Sequence, residues 1–84
     1  METSERKKLR EFIETCLREH DDMGDLTDNE SLFISGRLGS LPMTRLVVYL
    51  EESFGIDFAQ VGFDIELIDS IEEIESFVDW AKSR

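Results

Sequence analysis

The hydroxyl of Ser40 is the side chain best placed to do chemistry. It lies in the stretch Gly36-Arg37-Leu38-Gly39-Ser40-Leu41-Pro42, which leads into the apolar-periodic run Met43, Leu46, Val47, Leu50 and Phe54. Proline is tolerated only in the first turn of a helix, so Pro42 predicts a helix that begins within a residue or two of it and stops at Gly55. The residue before a proline resists helical angles, which makes Leu41 a candidate cap with Ser40 one step outside. In either register Ser40 is exposed at a helix mouth. Unpaired backbone N–H groups and the positive end of the helix dipole favour an anion there, and a phosphate ester on the Ser40 hydroxyl would meet that environment.

Other reactive side chains are scarce. With one cysteine and one histidine the chain can build neither an internal disulfide nor a thiolate or imidazole cluster for zinc. Cys16 falls in an apolar stripe and reads as a small core residue. His20 falls at a helix end and reads as a cation near the negative end of the dipole. No Ser-His-Asp or Cys-His set is evident, so no catalytic residue is expected. Glu19, Asp21, Gly24 and Glu30 occupy the first, third, sixth and twelfth places of a calcium-loop spacing. Met23 stands where the fifth place needs an oxygen, so the stretch reads as a solvated acidic loop and no metal is expected.

Four helices would position these groups. Leu9, Phe12, Ile13, Cys16 and Leu17 form one stripe of an amphipathic helix over about 4–19, with Thr3 or Ser4 as its cap. A long connection, 21–35, follows, with Leu26, Leu32, Phe33 and Ile34 available to pin it to the core. The Pro42 helix is second. Asp64 is placed to cap a short third helix of about one turn, and Val61, Phe63, Ile65, Leu67 and Ile68 crowd around it. The last helix opens on the capping box Ser70-Ile71-Glu72-Glu73 and buries Ile71, Ile74, Phe77, Val78 and Ala81, with Lys82 and Arg84 at its end and Trp80 on the rim. The fold class is therefore all-α, a four-helix bundle with three longer helices and a short third one, in a single domain spanning 1–84.

Charge narrows the partners. The net charge is −11, and Arg6, Lys7, Lys8, Arg10 and Arg18 are gathered at the start while only Arg37 and Arg45 oppose the acids between Glu19 and Asp79. Such a surface suits proteins with basic patches and excludes a run of nucleic-acid phosphates. A single cysteine suits a reducing, cytoplasmic setting, and no apolar run is long enough for a bilayer or a signal peptide, so no membrane is expected; a monomer is expected as well.

Helix, long loop, a Gly-x-Leu-x-Ser-Leu turn at 36–41, and a second helix reading Leu46-Val47-Val48-Tyr49-Leu50-Glu51-Glu52-Ser53-Phe54-Gly55-Ile56-Asp57-Phe58 together resemble the acyl carrier protein family. The similarity covers about 9–80 and is most specific over 31–58. It implies a four-helix bundle without enzymatic activity of its own. Ser40 would be esterified with 4'-phosphopantetheine from coenzyme A by a phosphopantetheinyl transferase. An acyl or aminoacyl group would travel on that arm between adenylate-forming ligases or synthases of fatty acid or secondary metabolism. Leu41, Arg45, Glu51 and Glu52 would meet those partners, and a cargo pocket would lie among Leu46, Val47, Leu50, Phe63, Ile68 and Ile71. The chain departs from the family at Gly39, where an aspartate usually precedes the serine, and at Arg45, where an acid is usual. An unmodified acidic helical adaptor is the alternative expectation, and a small calcium-responsive helical protein a third.

Overall fold

The amphipathic stripes read along the chain become buried faces in the computed structural model, which describes residues 1–62 and 64–83. Every regular element among them is helical: α1 Thr3–Glu19, α2 Ser40–Phe54, α3 Phe58–Val61, a 3-10 turn Ile65–Ile68, and α4 Ile71–Lys82. No helix among the described residues is long and apolar enough to cross a membrane.

Helix α1 buries Leu9, Ile13, Cys16 and Leu17 and leaves its basic residues outside. Its cap is Glu2, not Thr3 or Ser4, because the Glu2 backbone is extended and its N–H donates to Oε1 of Glu5 at 2.9 Å. That bond satisfies the chain entering the helix, so both hydroxyl residues are drawn into the first turn. At the far end His20 caps the helix, and Asp21, in the left-handed region at φ 59°, reverses the chain.

Helix α2 buries Pro42, Leu46 and Leu50 and closes on Gly55 at φ 66°. A side chain at that backbone angle would be strained, which is why glycine ends the helix cleanly. The capping alternative that put Leu41 outside the helix does not hold. Gly39 is the extended cap, Ser40 the first helical residue and Leu41 the second. The first-turn N–H groups have no intrahelical partner in any case, so Pro42 in the third position sacrifices no hydrogen bond.

The expected short third helix is divided in two. Asp64 caps the 3-10 turn, accepting from the Glu66 N–H at 3.0 Å, as its spacing predicts. The preceding turn α3 is an addition, capped by Asp57, which accepts from the Ala59 N–H at 2.9 Å. Phe63 lies outside the described residues. Ser70 opens α4 by accepting from the Glu73 N–H at 3.1 Å, and Ile71, Ile74, Phe77 and Val78 are buried, while Ala81 of the expected stripe is only half-buried and Arg84 lies outside the described residues.

Leu9, Ile13, Leu46, Leu50, Ile74 and Val78 from the three long helices meet Ile68 from the 3-10 turn and Leu32 and Leu38 from the long connection, all fully buried. Each such side chain stabilises the fold by about 1.5–3 kcal/mol relative to exposure. The connection is therefore part of the core. Its apolar residues divide unequally: Leu32 and Phe33 are buried and Leu26 is half-buried, but Ile34 points outward at 60% exposure.

Candidate functional site: a helix-mouth serine on a pinned loop

The backbone that delivers Ser40 is fastened from below. Leu38 donates its N–H to the Leu32 carbonyl at 2.7 Å, and Leu32 donates to the Asp69 carbonyl at 2.6 Å. The buried Asp69 carboxylate accepts from the Phe33 and Ile34 N–H groups at 2.7 and 2.9 Å and from the Ser31 hydroxyl. Burial opposes its ionisation, but the Ser31 hydroxyl and the N–H groups of Ile34 and Phe33 outweigh that and hold the carboxyl below its usual value. A charged acceptor at the base of α4 thus orders the chain that leads to α2.

A second fastening comes from the side. The Arg37 guanidinium donates to both carboxylate oxygens of Asp22 at 2.8 and 3.2 Å, to Oε2 of Glu30 at 2.5 Å and to the Gly24 carbonyl at 3.1 Å. The Arg37 bonds and then the Gly24 N–H lower the pKa of Asp22, and the Thr27 N–H, with Arg37 behind it, lowers that of Glu30. Arg45 holds Glu19 at 2.6 Å. The carboxylates at the first and twelfth places of the calcium-like spacing are therefore each held by an arginine of the chain itself.

On this platform Ser40 is exposed, and its hydroxyl makes no hydrogen bond among the described residues. Its own carbonyl is occupied, accepting from the Thr44 hydroxyl at 3.0 Å. Ser31 and Ser35, the neighbouring hydroxyls, are both engaged: Ser31 donates to Asp69, and Ser35 donates to the Ser31 carbonyl at 2.7 Å. The first turn of α2 contains no acid, and Gly39 offers no capping side chain. Its free N–H groups and positive dipole end are thus unopposed, which suits a phosphodiester. Leu41, beside the serine, is 61% exposed, an apolar contact at the mouth.

Arg45, Glu51 and Glu52 are exposed on α2, away from its buried stripe. Arg45 is less available than its exposure suggests, since it ties α2 to the end of α1. Of the residues expected to line a cargo pocket, Leu46, Leu50, Ile68 and Ile71 are buried and serve as core, and Val47 is half-buried. Sequence reasoning missed Asp69 and Arg37. An aspartate just before a capping box and an arginine in a Gly-rich turn were the available signals, but their partners lie too far along the chain to be read from spacing. Cys16 is buried, and burial followed by the nearby Glu19 raises its thiol pKa, as suits a core residue. Comparison with protein-family models, with curated proteins and with solved structures gave no match.

Proposed function

We propose that this chain is a carrier protein of the acyl-carrier type, bearing a 4'-phosphopantetheine arm on Ser40. The observation that carries the reading is the uncommitted Ser40 hydroxyl, exposed on the first residue of α2 while the hydroxyls of Ser31 and Ser35 earlier in the chain are in use. When attached, the arm supplies a terminal thiol that holds an acyl or aminoacyl group as a thioester. The chain's own residues do the rest. The N–H groups of the first turn face the phosphodiester, Leu41 offers apolar contact to whatever docks, and the Asp69 and Arg37 fastenings keep the serine in one place. No catalytic group of this chain takes part. Transferase and adenylate-forming ligase partners supply the bond-making steps, in a cytoplasmic setting, with the chain acting as a monomer.

Gly39 deepens the reading. Its backbone is extended at φ −90° and ψ −168°, and a Cβ there would meet nothing within 4 Å. The glycine is not demanded by the fold, so its difference from the family's aspartate concerns what reads the serine. The same open position supports the second reading, an unmodified acidic adaptor. Intact-mass measurement after incubation with coenzyme A and a permissive phosphopantetheinyl transferase separates the two. One arm is expected on the parent protein and none on Ser40→Ala, with helicity unchanged; no addition with any transferase supports the adaptor.

A further inference from the structure

Helix α4 carries its acids on two sides with different fates. Glu75 faces α1 and pairs with Arg6 at 3.3 Å, and Lys82 reaches back to Glu5 at 3.6 Å. On the other side Glu72 and Glu73 are exposed, and no cation among the described residues pairs with either. These two acids rim an open groove of about 620 Å³ between α4, the 3-10 turn and the loop at Asn29. Its apolar surface is Leu67, 43% exposed, Trp80, 49% exposed, and the edge of Phe77. Phe77 stacks on both Trp80 and Phe58, with centroids 5.9 and 5.5 Å apart, so the aromatic wall is fixed in place.

Helical spacing arranges the groove in a line. Glu72, Ser76 and Trp80 recur every four residues, and Glu73, Phe77 and Trp80 follow at four and three, so the acids stand at one end and the aromatics at the other. Two turns of helix separate them, roughly 11 Å. An apolar groove rimmed by uncompensated charge of one sign is complementary to an apolar partner of the opposite sign, and the sign specifies its occupant. We infer that this groove docks a cationic amphipathic helix of a partner protein, its apolar residue against Leu67 and Trp80 and its Lys or Arg about two turns away against Glu72 and Glu73. An anionic lipid surface is disfavoured by the same acids. The inference does not depend on modification of Ser40, and the groove is distinct from the Arg45, Glu51 and Glu52 face of α2.

Trp80 is the only tryptophan, so its fluorescence reports the groove directly. The probe is an amidated amphipathic Leu/Lys helical peptide, with a control of identical composition scrambled to destroy the apolar face. Isotope-labelled protein locates the contact by amide chemical shifts. The expected result is a Trp80 spectral shift, amide changes centred on 67–80, and binding weakened on the order of tenfold or more by Leu67→Asp and by the exposed pair Glu72→Lys with Ser76→Lys. Glu11→Lys, on the exposed face of α1, should leave that binding within about twofold at moderate salt, where remote exposed charges are screened. Circular dichroism checks that each variant keeps its helicity, and the Lys pair carries the test if Leu67→Asp unfolds. Equal binding of the scrambled peptide, amide changes centred on α2, or unaltered affinity in the folded groove variants would overturn the inference. So would concentration-dependent dimerisation that buries Trp80, which would make a second copy the occupant.

Discussion

Two residues decide how Ser40 is presented, and each makes a prediction. Gly39 caps α2 without a side chain, in a backbone conformation that any residue adopts. Gly39→Asp should therefore add an acceptor within reach of the Leu41 N–H, the third helical residue being Pro42 with no N–H, and a negative charge at the positive dipole end, raising stability by about 0.3–1 kcal/mol in a urea titration. If a transferase also reads this position, initial rates of arm attachment should rise as well; equal rates with raised stability would show capping without recognition. Asp69 works in the opposite sense. Asp69→Ala leaves the Phe33 and Ile34 N–H groups without their acceptor and should cost about 2–4 kcal/mol, a large share of the roughly 4–12 kcal/mol expected for a domain of this size. Because the folded-state pKa of Asp69 is depressed, its contribution is fully present above the unfolded value of about 3.9 and is lost as pH falls below it. Denaturation midpoints of the parent should fall more steeply than those of Asp69→Ala as pH drops from 5 to 3, and parallel curves would contradict the assignment.

At the scale of elements, α1, α2 and α4 were legible in the sequence because each has an apolar period of three to four and a marked terminus. The two short turns at Phe58–Val61 and Ile65–Ile68 were only half legible, since four residues carry too little periodicity; Asp64 announced its cap, while Asp57 was not read as one. The long connection was least legible. Its order comes from Asp69 and Arg37, whose partners stand up to 38 residues away. Arg37→Lys keeps the charge but not the fork that spans Asp22, Glu30 and the Gly24 carbonyl. It should cost about 1–3 kcal/mol and speed amide exchange across 22–38, with α1 and α4 unaffected. Uniform exchange changes throughout the chain would show a global effect instead. Glu51 and Glu52 lie in the last turn of α2, where carboxylates oppose the dipole. Glu51→Lys with Glu52→Lys should leave stability unchanged or raise it by a few tenths of a kcal/mol, yet slow arm attachment or ligase loading, most at low salt. The same variant modified at the parent's rate at every salt concentration would remove this face from recognition. Arg45→Glu tests recognition less cleanly, because it also breaks the pair with Glu19.

The whole molecule is a small acidic platform. A radius of gyration of 12.1 Å is what a compact chain of this length should have. Several of its basic residues help hold it together: Arg6, Arg10, Arg45 and Lys82 each pair with an acid of another segment, and Arg37 pairs with two acids within the long connection. The negative charge that remains faces outward, and on the proposed reading it would meet basic partners at two separate places, the α2 face and the α4 groove. Ser40, at the mouth of α2, keeps its hydroxyl exposed and without a hydrogen bond among the described residues. The most direct measurement is fragmentation mass spectrometry of the peptide spanning Ser31, Ser35 and Ser40 after treatment with coenzyme A and transferase. The predicted result is a single phosphopantetheine arm on Ser40, with Ser31 and Ser35 unmodified. An arm on Ser35 or Ser31, or an unmodified peptide under conditions that fully load a known carrier protein, would contradict the account.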